Sequence, residues 1–348
     1  MVAKFIRKNK GRSRFFAADG IIGAVMAALP ELPDTHVLDL RKISAADVTP
    51  VLEEERIAWR DALDWDLTSS VELVRRFVGM QALNGVALLY GSQVIGFAYS
   101  VRDEHKGLVG DLYILEQERT PQRVSLLMEA VLESLWRAPG VHRVESQLLM
   151  MGAVAPRTLA PAFAQWLRTF PRLFLEISAD AIAALAEQEP AGVKLRAWTE
   201  AKQEESARLV AAAYRGHVDS DINDQYRSAW GARRFLNNIV QYPGCGTFQQ
   251  KASMAATDPA NGALVGMSLA SLVAPDVGHI TQICVAPGRR GIGLGYELLR
   301  RSLTGLAEQG CRSVGLTVTA ANQPAARLYQ DMGFTLRREF PAHVWDSW

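Results

Sequence analysis

Residues 280–303 read as a strand, a glycine loop and the start of a helix, and few folds accommodate that succession. An apolar run from Ile280 to Val285 stops at Pro287, and glycines follow at 288, 291, 293 and 295. From Tyr296 to Leu303 the spacing turns helical, with Leu298, Leu299 and Leu303 on one face. This layout suits an anionic phosphate. Glycines let the backbone approach closely, N–H groups point inward, and the helix N-terminus adds partial positive charge. Arg289 and Arg290 add full charges beside it. Two other phosphate loops are excluded. A P-loop needs Lys then Ser or Thr at the helix start, where this chain has Gly295-Tyr296. A dinucleotide loop needs its third glycine at 296, and no acidic residue follows on the next strand, between Gly310 and Thr319.

A second motif lies downstream of the strand Ser313 to Val318. It reads Asn322-Gln323-Pro324-Ala325-Ala326-Arg327-Leu328-Tyr329-Gln330-Asp331-Met332-Gly333-Phe334. With these two motifs, Arg-Arg-Gly-Ile-Gly and Asn-x-x-Ala-x-x-Leu-Tyr-x-x-x-Gly-Phe, the chain resembles the GNAT superfamily of acyl-CoA-dependent N-acyltransferases over roughly residues 193–348. One position departs from the family pattern: Gly288 stands where Gln or Arg is usual. Backbone donors dominate such a loop, so the site is expected to survive.

The two halves resemble each other. Gln93-Val94-Ile95-Gly96 matches Ala263-Leu264-Val265-Gly266 at an offset of 170. The same offset lays Asp111 to Leu115 on Thr281 to Val285, and Ser125 to Trp136 on Gly295 to Leu306. It also lays Arg143 to Leu148 on Ser313 to Val318. A period this long is a domain repeat. The expected fold class is therefore α/β with mixed sheets, as two tandem GNAT-like domains. The expected partition is a basic extension over 1–36, a degenerate domain over 37–190 and a catalytic domain over 191–348, joined near Gln188 to Gly192. The first copy lacks the chemistry. Opposite the glycine loop it has Glu116 to Arg123, with no glycine and with two carboxylates that would repel a diphosphate. Gly152 falls opposite Asn322.

The resemblance implies a set of roles. The backbone of Ile283, Cys284 and Val285 would hold the pantetheine arm and thioester carbonyl of acetyl-CoA. The amides of Arg289, Arg290, Gly291, Ile292 and Gly293, with Gly295 and Tyr296, would hold the diphosphate. Tyr329 corresponds to the tyrosine that protonates the leaving thiolate, although a tyrosine packed on a helix reads the same way. Asn322 would touch the cofactor arm or cap its helix. His279 opens the motif strand where many relatives place a catalytic Glu, so it is the candidate base; an ordinary strand-end histidine is the alternative. The acceptor wall would lie in Tyr214 to Trp230, with Asp219, Asp221, Asp224, Tyr226 and Arg227 binding a primary amine. Those aspartates could equally form turns and caps. No metal is expected: an EF-hand reading fails because Asp224 and Trp230 stand where Gly and Glu belong.

Composition narrows the classes further. The 348 residues are 49% hydrophobic and 22% charged, an ordinary globular mixture. A net charge of +1 gives no global field toward nucleic acid. The three cysteines, Cys245, Cys284 and Cys311, show no metal spacing and suit reduced thiols in the cytoplasm. Six basic residues between Lys4 and Arg14 precede an apolar stretch, Phe15 to Leu29, which Asp19 and Gly20 interrupt. A basic extension and a short packed helix are expected there rather than a leader, and no stretch reaches membrane-spanning length. Two rivals to the enzyme remain: a non-catalytic CoA-binding sensor or scaffold, and a nucleic-acid partner tethered by the basic N-terminus. Acceptor identity and oligomeric state are not legible.

Overall fold

The computed structural model describes residues 34–150, 159–242, 244 and 246–346. The basic segment and apolar stretch before residue 30, Gly152 and Cys245 lie outside these residues.

The first half runs β1 (Thr35–Asp39), α1 (Ala45–Leu63), α2 (Thr68–Gly79), β2 (Gly85–Tyr90), β3 (Gln93–Asp103) and β4 (Lys106–Ile114), then α3 (Pro121–Trp136), β5 (Arg143–Gln147), α4 (Pro161–Ala164) and β6 (Leu167–Ser178). The second half opens with α5 (Ala179–Ala183), β7 (Lys194–Ala197), α6 (Gln203–Ala213), α7 (Asp219–Ile222), α8 (Ala229–Gln241), β8 (Thr247–Phe248) and β9 (Met254–Thr257). It continues with β10 (Leu264–Ala274), β11 (Val277–Val285), α9 (Leu294–Ala307), β12 (Ser313–Thr319), α10 (Gln323–Asp331) and β13 (Thr335–Asp346). No described helix is long and apolar enough to cross a membrane.

Two compact units form. The C-terminal unit comprises Leu63–Asp66 and Phe170–Glu339; the N-terminal unit takes the chain up to Ala62, Leu67–Thr169 and Phe340–Trp348. The segment from Gln188 to Gly192 lies within the C-terminal unit.

Each unit repeats one plan. The N-terminal sheet has the order β1-β2-β3-β4-β5-β13, antiparallel except for the parallel pair β4 and β5. The C-terminal sheet has the order β6-β12-β11-β10-β9-β7, antiparallel except for β11 and β12, with β8 beside β10. The pairing of β3 with β4 slips by one residue between Tyr99 and Ser100, and that of β10 with β11 between Leu269 and Ala270, again 170 positions apart, with the extra residue on β4 and on β11. A shared irregularity at one register position is the mark of a common backbone plan, since a bulge re-aims the strand beyond it.

The last strand of each sheet comes from the other half of the sequence. In the C-terminal unit β6 pairs with β12 from Ser313↔Ser178 to Thr319↔Arg172. In the N-terminal unit β13 pairs with β5 from Ala342↔Gln147 to Asp346↔Arg143. Without these strands β5 and β12 would each present a row of unpaired backbone groups.

The C-terminal core lies on both faces of β10 and β11. Leu299, Leu303 and Leu306 of α9 pack with Leu316, Val318, Phe334 and Leu175 on one face. Trp198, Leu209, Val210, Leu236 and Met267 fill the other. Burial on both faces explains why β10 reads as a continuous apolar run.

Candidate active site

The glycine loop folds as its composition requires. Gly291 and Gly293 sit at φ 77° and 78°, a left-handed backbone that disfavours any side chain. Gly293 is also crowded: a Cβ there would lie 2.7 Å from Gln188 Oε1. Gly293 is the N-cap of α9 and supplies no side-chain acceptor. The amides of Arg289 and Arg290 turn back to the Ala286 and Pro287 carbonyls at 2.9 and 3.5 Å. Those of Gly291, Ile292 and Gly293 donate to no described group. The open donors are therefore 291–293 and the first turn of α9, where Gly295 and Tyr296 lie, rather than the whole of 289–293. The two guanidinium groups are engaged away from the loop. Arg289 pairs with the Asp258 carboxylate, and Arg290 donates to the Ala213 carbonyl at 2.7 Å. Both tether the loop to its surroundings. The segment just before β7 is fastened to α9 as well. The Tyr296 hydroxyl donates to the Ala186 carbonyl at 2.8 Å, and the Gln188 amide to the buried Glu297 carboxylate at 3.1 Å.

Beside the loop the parallel strands fork. β11 and β12 pair only from Val277↔Ser313 to Ile280↔Leu316, although both continue beyond. Residues 281–285 are held by β10 on one side alone. Ile283, Cys284 and Val285 thus face the opening with one backbone edge. Burial pushes the Cys284 thiol up to about 12, so it stays protonated at neutral pH. His279 lies in the closed, paired part of the fork, opposite Ser271 and Gly315. Its ring is 6% exposed, edge-on to Trp65 at 5.1 Å and stacked with Phe174 at 6.1 Å. Burial lowers its pKa to about 4, and the imidazole is neutral.

Across the opening stand residues of α6, α7 and α10. Tyr329 is buried on α10, and desolvation first, then the Asp219 charge, raise its pKa while Arg172 pulls it down. Asn322 caps α10 through its side-chain oxygen, which accepts from the Ala325 amide at 3.4 Å. The Tyr214 hydroxyl donates to the Ile283 carbonyl at 3.4 Å and accepts from Gln282 Nε2 at 3.3 Å. Tyr226 stacks on Tyr214 at 4.5 Å. Asp219 turns inward, its side chain 13% exposed. It accepts the Thr319 hydroxyl and faces Arg172 and His217. Asp221, 48% exposed, pairs with Arg227 at 3.4 Å, and Asp224 opens a short 3-10 turn. The structure thus gathers Tyr329, Asp219 and Tyr226, and leaves the exposed pair Asp221 and Arg227 outside that group. Tyr214, Thr319 and Arg172 also belong to the group. Arg172 could not be found from sequence, because it stands outside every motif and is brought in by strand pairing.

The corresponding place in the N-terminal unit is filled by its own side chains. Arg123 pairs with Glu118, and Arg119 donates to the Ile114 carbonyl at 3.0 Å. The Glu116 amide donates to Glu54 at 2.7 Å. Thr120 caps α3, accepting from the Arg123 amide at 3.3 Å. Of the positions matching the open amides 291–293, Pro121 has no N–H to offer and the Arg123 amide is already satisfied by Thr120. No group of three or more His, Cys, Asp or Glu among the described residues has the arrangement of a metal site.

Residues 217–334 match the model of the acetyltransferase (GNAT) family. A mycothiol acetyltransferase of Clavibacter sepedonicus is 30% identical over 163 residues, which cover 45% of this chain and 47% of that protein. The chain thus spans less than half the length of the curated relatives it matches. Among solved structures, a GCN5-related N-acetyltransferase from Sphaerobacter thermophilus superposes with a TM-score of 0.62 at 18% identity, covering 91% of this chain and 96% of that one. A tandem GNAT protein from the clavulanic acid biosynthesis pathway superposes with a TM-score of 0.55 at 17% identity, covering 90% and 98%. These two show the fold over both units.

Proposed function

From the GNAT acetyltransferase domain in the C-terminal half, we propose that this protein transfers an acetyl group from acetyl-CoA to a primary amine of a small molecule or peptide. The observation that carries the reading is the trio of unpartnered amides at Gly291, Ile292 and Gly293, ahead of a helix with no side-chain cap. A diphosphate fits that chemistry, since it needs many donors and no Cβ in the way. Bound there, acetyl-CoA would supply the activated acyl group. The chain's own residues do the rest. The free backbone edge of Ile283 to Val285 aligns the arm along the fork. Tyr329, kept protonated by burial, gives its proton to the departing thiolate. The protonated Cys284 is a poor nucleophile, which favours direct attack by the amine. The amine must lose a proton first, because a free alkyl ammonium has a pKa of about 10.4. His279 is assigned to packing rather than to that step: a base with a pKa of about 4, facing Trp65 and Phe174, takes up no proton near neutrality. An intracellular cosubstrate goes with a cytoplasmic setting, and similarity to a mycothiol acetyltransferase supports a small-molecule substrate here.

Calorimetry with acetyl-CoA tests the reading. One binding event per chain is expected, because of the two matching loops the C-terminal one offers a run of glycine amides and the other has Pro121 and a capped Arg123 instead. Gly293→Glu should abolish the heat, through crowding against Gln188 and charge at the phosphates. Unchanged affinity in that variant would remove the loop from the site. Tight binding with no thiol release across an amine panel would make the protein a coenzyme-binding module instead of an enzyme.

A further inference from the structure

We propose that Arg172, a residue from the first half of the chain, is a positioning residue that pins and neutralises Asp219 beside Tyr329. The inference rests on the acyltransferase reading above. Arg172 lies on β6, directly opposite Thr319 of β12. Its two terminal nitrogens donate to Thr319 Oγ1 at 3.3 Å and Thr317 Oγ1 at 3.1 Å. One of them stands 3.6 Å from Asp219 Oδ1. Its Nε is buried and meets no acceptor among the described residues. The fork of the guanidinium is therefore anchored on one strand by two hydroxyls while its charge reaches a helix across the opening.

Asp219 is held from three directions. It accepts the Thr319 hydroxyl, faces Arg172, and lies 3.7 Å from His217 Nδ1. The His217 ring in turn accepts from the Asp219 amide at 3.2 Å. A carboxylate this buried, left without its counter-charge, would oppose ionisation of the nearby Tyr329 more strongly and make it a more reluctant acid. Arg172 supplies the opposing charge: of the two ionic groups acting on Tyr329, Asp219 raises and Arg172 lowers its pKa. Arg172 thus offsets part of the Asp219 charge at the acid, and the carboxylate is not a bare anion waiting for an acceptor ammonium. Backbone pairing and the burial of Leu175 and Phe174 hold β6 in place independently of Arg172, so its role can be separated from the strand's.

The test uses the full chain, with thiol release from acetyl-CoA in the presence of ethanolamine, glucosamine, lysine or spermidine, and with water alone. Arg172→Met is expected to lower kcat by about tenfold or more, a barrier change of about 1.4 kcal/mol. The acetyl-CoA Kd and the amine KM should stay near wild type. The double variant Arg172→Met/Asp219→Asn removes both charges and should recover much of the loss, because the harm of the single change is an uncompensated carboxylate. Wild-type kcat in Arg172→Met, or a double variant no faster than the single one, overturns the proposal. If Arg172→Met fails to fold, Arg172→Gln carries the test. It removes the charge and keeps amide donors for the threonines, so a lowered kcat at an unchanged Tm is expected and a wild-type kcat overturns the idea. A wild-type protein that releases no thiol under any condition defeats the acyltransferase reading itself, and this inference with it.

Discussion

As the proposed acid Tyr329 must remain protonated, and its burial beside Asp219 favours that at any physiological pH. Tyr329→Phe keeps the ring and its packing and removes only the proton, so kcat should fall roughly 10²-fold, the low end for general-acid groups, with acetyl-CoA affinity unchanged. A stopped assay of thiol release beside calorimetry reads both numbers. His279 makes a different prediction. Above pH 6.5 it is neutral in folded and unfolded chains alike and contributes no pH dependence. Between 6.5 and about 4 the unfolded chain binds a proton that the buried imidazole refuses, so stability falls as the pH falls. From pH 7 to pH 5 this single group accounts for a loss of about 2 kcal/mol. His279→Leu should flatten the acid arm of urea unfolding by about that much. The slope should not vanish, because His343 of the other unit is buried with its pKa likewise lowered to about 4. An unaltered arm would mean that His279 is protonated in the folded protein.

At the scale of the element, the fork between β11 and β12 depends on the strand that backs it. Phe174 of β6 is 1% exposed, and the Gly315 Cα leaves it room: a Cβ there would come within 2.6 Å of the Phe174 ring. Phe174→Ala should destabilise the C-terminal unit by about 3–5 kcal/mol, because the cavity beneath Gly315 cannot close without moving β12. Denaturant midpoints with an unchanged m-value would register it. These elements divide in how legible they are. The strand, glycine loop and helix of 280–303 are readable because each step has its own chemistry, a period of two, glycines at φ above zero, then apolar residues at helical spacing. The repeat was readable because the offset of 170 runs without gaps through β3, β4, α3 and β5. The engagement of Arg289 with Asp258 and of Arg290 with Ala213 was not, since the partners lie 31 and 77 residues away. Nor could the inward turn of Asp219 be told from the outward turn of Asp221, two residues on along the same short helix.

For the molecule as a whole, the consequence of duplication is an exchange of strands. Sequence similarity divides the chain near residue 190, whereas the compact units divide after Thr169 and after Glu339 and bring Leu63–Asp66 into the C-terminal unit. Pairing over a long sequence separation leaves no local pattern, so β6 looks like the end of one repeat while it completes the sheet of the other. The C-terminal unit takes from the first half the strand that covers β12, the arginine facing Asp219, and the tryptophan against His279. A fragment of residues 191–348 contains both sequence motifs and none of these. Its β12 would expose an unpaired edge, and Leu316, Val318 and Phe334 would lose Leu175 and Ile177 from their cluster. Such a fragment is expected to aggregate or remain unfolded, since an open apolar edge recruits other strands. Adding back residues 170–190 restores the edge strand, and that longer fragment should be the more soluble and the more protected of the two. Circular dichroism and hydrogen exchange on both fragments decide the matter. A cooperatively folded 191–348 fragment that binds acetyl-CoA as tightly as the full chain would show that the exchanged strand is dispensable for the site.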